Sequence, residues 1–338
     1  MKSKNVLASL PSIADDVMRC GQLAAALEVC GWPKPGNTHR TSNLPDVKFE
    51  HFIASSIAMG PPLRKAFLRG ARAGLDKLRL EELGIGNLIL EAVNEMENWQ
   101  KGGNTHLGTI MLFVPLAAAT GYLISRKGVL SLEGIREAFS RIIKTTKPID
   151  AVNVYKAIRR VNPDGLGRVK GCRAPDVTLE NAYSELLEKK LNVFDVMSIA
   201  AEWDLVAREI CRGLEISVNI GYPALKRVYE ETGDINVATV HTFLEILSLY
   251  PDTHIARCYG LRYTEDVREA VKRGMEKALM VSRWAEIALG AGGLLTKEGK
   301  KLLFKMDLEL KREGLNPGAT ADLTATSLYL ALLLGLRP

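Results

Sequence analysis

The segment Leu107–Ser125 carries no charge and is long enough to cross a bilayer as a helix, and it constrains the fold most. It also contains Thr109, Pro115, Thr120 and Gly121, and the residues before it are rich in Gly, Asn and His. An all-round apolar helix of this kind fits the centre of a large helical protein. The segment Leu323–Leu336 has the same character. Both predict buried central helices and no membrane span.

Helical periodicity dominates the rest of the chain. Over Ile13–Val29, the residues Val17, Leu23, Ala24 and Leu27 recur at three- and four-residue steps, and Gly31 and Pro33 follow as a stop. Further helices are predicted at 47–58, 61–77, 85–98, 107–125, 131–144, 150–160, 178–190, 195–214, 217–232, 236–248, 264–288, 296–312 and 321–336. Strand alternation is hard to find. Aromatic residues make up only 6% of the chain, against abundant Leu and Ala. The expectation is an all-α fold, a single multi-helix globular domain over 1–338. One irregular stretch, Asn162–Val177, is long enough to act as a lid or a domain connection.

Charge and cysteines exclude several function classes. A net charge of +6 is a mild excess and, with no basic-aromatic stripe, predicts no nucleic-acid partner. It suits a phosphorylated small molecule. The cysteines Cys20, Cys30, Cys172, Cys211 and Cys258 form no C-x-x-C pair, which points to a reducing compartment. The start of the chain lacks an apolar h-region, and Asp15 and Asp16 come early, so the expected location is cytoplasmic. Low charge on some helices allows a homodimer.

Three loops read as more than turns. In Pro33–Arg40 (PKPGNTHR), two prolines bracket Lys34, and Gly36 turns the chain. An ordered ammonium loses less freedom on binding a phosphate; a helix stop with a solvated lysine is the plain alternative. In Lys101–Gly108 (KGGNTHLG), Asn104 or Thr105 can cap the apolar helix, whose free N–H groups suit an anion. His106 is placed to donate to a phosphate or move a proton; a satisfied histidine beside a capped helix is the alternative. In Gly314–Ala325 (GLNPGATADLTA), Asp322 opens a buried helix, either as a cap or as a magnesium ligand. Asp252 and His254, just after Pro251, are weaker metal candidates that would converge only in an irregular loop. Arg160, Arg168, Lys170 and Arg173 offer cations to a charged tail. There is no Walker loop, Rossmann fingerprint or hydrolase motif.

These loops, in this order, resemble the triphosphoribosyl-dephospho-CoA synthase family. The matching pieces are LEVCGWPKPG (27–36), GGNTHLG (102–108), DTHIARCYG (252–260) and LNPGATADL (315–323), spread over nearly the whole chain. The resemblance implies an all-α transferase that joins ATP to dephospho-CoA with loss of adenine, with Mg2+ as cofactor. It implies Glu28 as a carboxylate at the reacting ribose and His106 as an aid to the leaving group. Lys34, Gly36, Asn37, His39, Asn104, Thr105, Arg168 and Thr320 would bind phosphate or substrate, and Asp322 and Asp252 would hold the metal. The lyase-associated members continue past PKPG with L-V-D and H-x-D-M. This chain has GNTHR and then DVKFEHFIASS, with Glu50 and His51 as the second acidic/His element. That departure resembles a divergent branch of the kind found in archaea and methylotrophs. It leaves open another nucleotide or a pterin-type cofactor precursor as acceptor, with a non-enzymatic helical interaction protein as the remaining alternative.

Overall fold

In the computed structural model, the uncharged segment forms a helix over Leu107–Lys127, ended by Gly128 at a φ of 72°. Residues 2–169 and 171–338 are described, with side chains from Ser9 onward. Among them, this is the one helix long and apolar enough to cross a membrane, and 89% of its most apolar window is buried inside the protein. Burying a Leu, Ile or Phe side chain contributes about 1.5–3 kcal/mol, so this helix anchors the fold.

In chain order the helices are α1 (Lys2–Cys30), α2 (Phe49–Ala58), α3 (Gly60–Gly74) and α4 (Ile85–Trp99). Then come α5 (Leu107–Lys127), α6 (Leu132–Lys144), α7 (Pro148–Val161) and α8 (Ala182–Glu188). Next are α9 (Val193–Ala200), α10 (Leu205–Cys211), α11 (Tyr222–Thr232) and α12 (Ile235–Leu249). The last four are α13 (Thr253–Gly260), α14 (Val267–Gly290), α15 (Lys297–Glu313) and α16 (Gly318–Leu333). No strand occurs among the described residues, only two isolated bridges, His39 with Ser42 and Arg168 with Asp266. The fold is all-α, as expected.

Small residues set a close crossing between α3 and α5. A Cβ on Gly70 of α3 would lie 1.9 Å from Ala118 O of α5, and one on Gly121 of α5 would lie 2.1 Å from Phe67 O. The two backbones therefore touch, and every other helix packs around that pair or around its neighbours.

Two apolar cores result. The larger runs through α1, α3–α11 and α16 and takes Ala238 and Ile246 from α12. The smaller joins α12–α15 with Trp203. Helix α16 serves both, with Ala319 and Leu323 in the first core and Ala321 in the second. Its N-terminus therefore sits at the seam.

Three sequence expectations are corrected here. The helix expected over 195–214 is broken after Ala200, because Asp204 turns outward to cap α10 by accepting from Ala207 N at 3.0 Å. The segment 252–260 is a helix and not an irregular loop, with Asp252 as its N-cap. Helix α1 also begins well before residue 13 and runs through Pro11.

Candidate active site

The three loops converge on one cavity of about 420 Å³ at the seam of the two cores. Its walls come from the end of α1, the turns before α5 and α16, the 162–177 segment, the α9–α10 junction and α13. Six carboxylates line it: Glu28, Asp46, Asp164, Asp176, Asp204 and Asp322. Among the described residues, Arg257 is the one arginine in the lining, and no lysine joins it.

The polar centre is built by Asp322 and Glu28. Asp322 lies near the start of α16, facing the first turn of α5, where Thr109 Oγ1 donates to its Oδ1 at 2.6 Å. Gly108 makes room for it. Burial pushes the Asp322 carboxyl up to about 7, with the nearby Glu28 and Asp204 charges adding and the Thr109 bond opposing. Glu28, in the last turn of α1, is 3% exposed. Lys34 folds back onto it, forming a buried ion pair with Oε1 and donating to Glu28 O at 3.0 Å. Burial pushes Glu28 up and Lys34 down, and their mutual attraction opposes both shifts. The prolines around Lys34 thus hold its ammonium inward, behind Glu28 and away from the cavity surface.

Asn104, Thr105 and His106 line the opening of α5. Asn104 Oδ1 accepts from Leu107 N at 3.2 Å, and Thr105 Oγ1 donates to Ser55 Oγ at 2.7 Å. His106 is 2% exposed; its Nε2 lies 3.2 Å from Phe52 O, and its ring stands edge-on to Phe52. Burial pulls the imidazole down to about 4, so it is neutral at pH 7. With Nε2–H donating to a carbonyl, Nδ1 is left as an acceptor.

Other sequence candidates lie elsewhere. Asn37 reaches the cavity and donates from Nδ2 to Asn316 Oδ1 at 2.8 Å. Gly36 and His39 face α15 instead: Gly36 N donates to Asp307 Oδ1 at 3.0 Å, and His39 Nε2 lies 3.1 Å from Asp307 Oδ2 and 2.9 Å from Lys311 Nζ. Arg168 turns outward, 3.6 Å from Glu265. Asp252 is fully buried, and both its oxygens are engaged. Oδ1 accepts from His254 N and Ile255 N, and Oδ2 accepts from Thr320 N and Thr320 Oγ1, both at 2.7 Å. It clips α13 to α16, and Thr320 is its partner in that clip. His254 lines the cavity. Glu50 and His51 lie in the first turn of α2, outside the lining, which takes Asp46 from the preceding loop. Lys170 falls outside the described residues.

Sequence reasoning missed Asp46, Asp164, Asp204, Arg257 and Asn316. Arg257 and Asn316 sit inside the quoted motifs and were within reach. Asp204 gave only a helix-cap signal.

No group of three His, Cys, Asp or Glu residues forms a metal cage among the described residues. The lining offers carboxylate and amide oxygens, the donors a magnesium ion prefers when it arrives with a nucleotide's phosphates and keeps much of its water. Asp322 and Glu28 fit that partial role.

Helix termini that enclose an acidic cavity with a single arginine define an all-helical ligand-binding protein with its polar groups gathered at one seam. A family model for CitG, described as ATP:dephospho-CoA triphosphoribosyl transferase, matches residues 14–337, and the chain belongs to that family. It is 26% identical over 328 residues to the 2-(5''-triphosphoribosyl)-3'-dephosphocoenzyme-A synthase of Klebsiella pneumoniae, covering 95% of this chain and 92% of that protein. It is 23% identical over 337 residues to the protein CitXG of Leuconostoc mesenteroides subsp. cremoris, of which the match covers 62%. A crystal structure from Archaeoglobus fulgidus, provisionally named a triphosphoribosyl-dephospho-CoA synthase, aligns with a TM-score of 0.57 at 27% identity. That alignment covers 84% of this chain and all of the other.

Proposed function

We propose that the protein transfers the triphosphoribosyl group of ATP to a 2′-hydroxyl of dephospho-CoA and releases adenine. The family match over residues 14–337 carries this reading, and the motif residues Glu28, Asn104, Thr105, His106 and Asp322 meeting at one cavity support it. The match favours it over a different acceptor or an interaction protein.

In this reaction the bond from the anomeric carbon to the adenine nitrogen breaks, and a bond to the acceptor oxygen forms. The hydroxyl proton leaves, and the departing base takes one up. Positive charge develops on the sugar, so carboxylates placed beside it lower the barrier. Glu28 is assigned that position, as base toward the acceptor hydroxyl and as charge stabiliser, with Lys34 holding it from behind. Neutral His106 is assigned a hydrogen-bonding role at Nδ1. Asn37, Asn104 and Thr105 would orient ribose and phosphate oxygens. Asp322, with Glu28, would hold magnesium, which neutralises the triphosphate when bound. The free state of all five cysteines suits a cytoplasmic setting.

The test is incubation of purified protein with ATP, magnesium and dephospho-CoA, followed by chromatography for adenine and mass measurement of the product. Adenine together with the coupled product is the expected result. Absence of both, from protein that melts cooperatively, would overturn the assignment.

A further inference from the structure

The wall formed by the α9–α10 junction and α13 is assigned no role in the chemistry at Glu28 and Asp322, although the Asp204 charge reaches Asp322. Asp204 uses Oδ1 to cap α10, while its Oδ2 lies 2.6 Å from Arg257 Nη1 of α13. The Arg257 side chain is 14% exposed, and its Nε is buried without a hydrogen-bond partner. A buried donor left unmet is costly, and Arg257 is one of the residues that line the cavity. The same lining carries apolar side chains: Trp203 from the junction, Val206 from α10, Val196 and Met197 from α9, Met111 from α5.

The two proposed substrates differ in what they need. A triphosphate that travels with magnesium is matched by carboxylates and their bound ion. A diphosphate joined to a long uncharged arm needs a planar cation next to apolar surface. We propose that Arg257, held by Asp204, and the apolar wall that starts at Trp203 form the acceptor subsite. The guanidinium takes the diphosphate of dephospho-CoA, and the pantetheine arm lies along Trp203, Met197 and Val206. This assignment rests on the transferase reading and divides the cavity between its two substrates.

Calorimetric titration of the intact protein tests it, with dephospho-CoA, 4′-phosphopantetheine and magnesium-ATP as separate ligands. Arg257→Gln is expected to weaken dephospho-CoA and 4′-phosphopantetheine on the order of tenfold or more, the effect of losing a charge-assisted bond. Magnesium-ATP should stay within about threefold, as expected for a ligand whose contacts are untouched. Arg257→Lys keeps the charge and should recover part of the loss, and Trp203→Ala should weaken the pantetheine ligands alone. Equal weakening of all three ligands would make Arg257 a brace for Asp204 and overturn the proposal. So would a loss confined to magnesium-ATP, or no loss at all. The transferase reading fails separately, by wild-type protein releasing no adenine. A selective loss of 4′-phosphopantetheine in Arg257→Gln would still uphold the subsite, and wild-type protein that binds no 4′-phosphopantetheine would overturn it.

Discussion

A Cβ on Gly108 would stand 2.1 Å from Asp322 Oδ2, so the starts of α5 and α16 meet with a carboxylate in the space a side chain would fill. Gly108→Ala must push Asp322 aside and break its 2.6 Å bond from Thr109. Overpacking of this kind costs about 1–3 kcal/mol of stability. Activity should fall further, on the order of a hundredfold, because a shift of about 1 Å at a reacting centre has that effect. Steady-state adenine release and chemical denaturation measure the two separately. A variant with wild-type kcat/KM would remove Asp322 from the reacting centre.

Much of this arrangement was legible in the sequence. The helices α3–α7 and α12–α16 follow from apolar periodicity and from Gly, Pro and Asp at their ends, with α13 the exception. That helix opens with Pro251 and Asp252, a start signal, but its eight residues are too few for apolar periodicity to show. The break at Asp204 was missed because its flanks, Val193–Ala200 and Leu205–Cys211, keep helical character on both sides. The site motifs were legible as groups, but the direction of each side chain was not. Lys34 turns inward to Glu28 and Arg168 outward to Glu265, and those directions depend on tertiary packing that periodicity does not encode.

The buried pair of Glu28 and Lys34 predicts strong non-additivity. Lys34→Met leaves a carboxylate buried without its cation, which costs about 3–5 kcal/mol. The double variant Glu28→Gln, Lys34→Met should lose less stability than the sum of its parts by at least about 1 kcal/mol. If Lys34 acts through Glu28, Lys34→Met lowers kcat and leaves magnesium-ATP affinity within about threefold, since no ligand contact is removed. Denaturation midpoints and calorimetry on the folded variants check both parts. A large loss of ATP affinity at unchanged kcat would return Lys34 to direct phosphate binding.

Asp252 accepts four hydrogen bonds, two that cap α13 and two that tie it to α16. Asp252→Ala removes an N-cap, at about 1 kcal/mol, and strands buried donors at about 1–3 kcal/mol more. The variant should therefore melt earlier, while its folded fraction keeps magnesium-ATP affinity. Magnesium titration below the transition temperature tests this. An unchanged melting curve with tenfold weaker magnesium binding would make the residue a ligand and not a clip.

Asp322 and His106 predict opposing pH dependences in magnesium-free protein. The folded pKa of Asp322 is about 7, raised from the ordinary Asp value near 3.9, so its contribution is full below that value and is lost as pH rises through 7. The shift is worth at most about 4 kcal/mol. His106 falls to about 4 from an unfolded value near 6.5, so its contribution is full above pH 6.5 and is lost as pH falls toward 4. Between about pH 4 and 6.5 the two nearly cancel, and above that window only the Asp322 loss remains. Asp322→Asn should therefore be more stable than wild type at pH 8 and nearly inactive, with the gap narrowing toward pH 5. Denaturation in chelator at several pH values measures this, and subtracting the variant curve from the wild type cancels the titrating groups that do not couple to Asp322. Parallel curves across pH 5.5–8.5 would mean that Asp322 titrates outside that range.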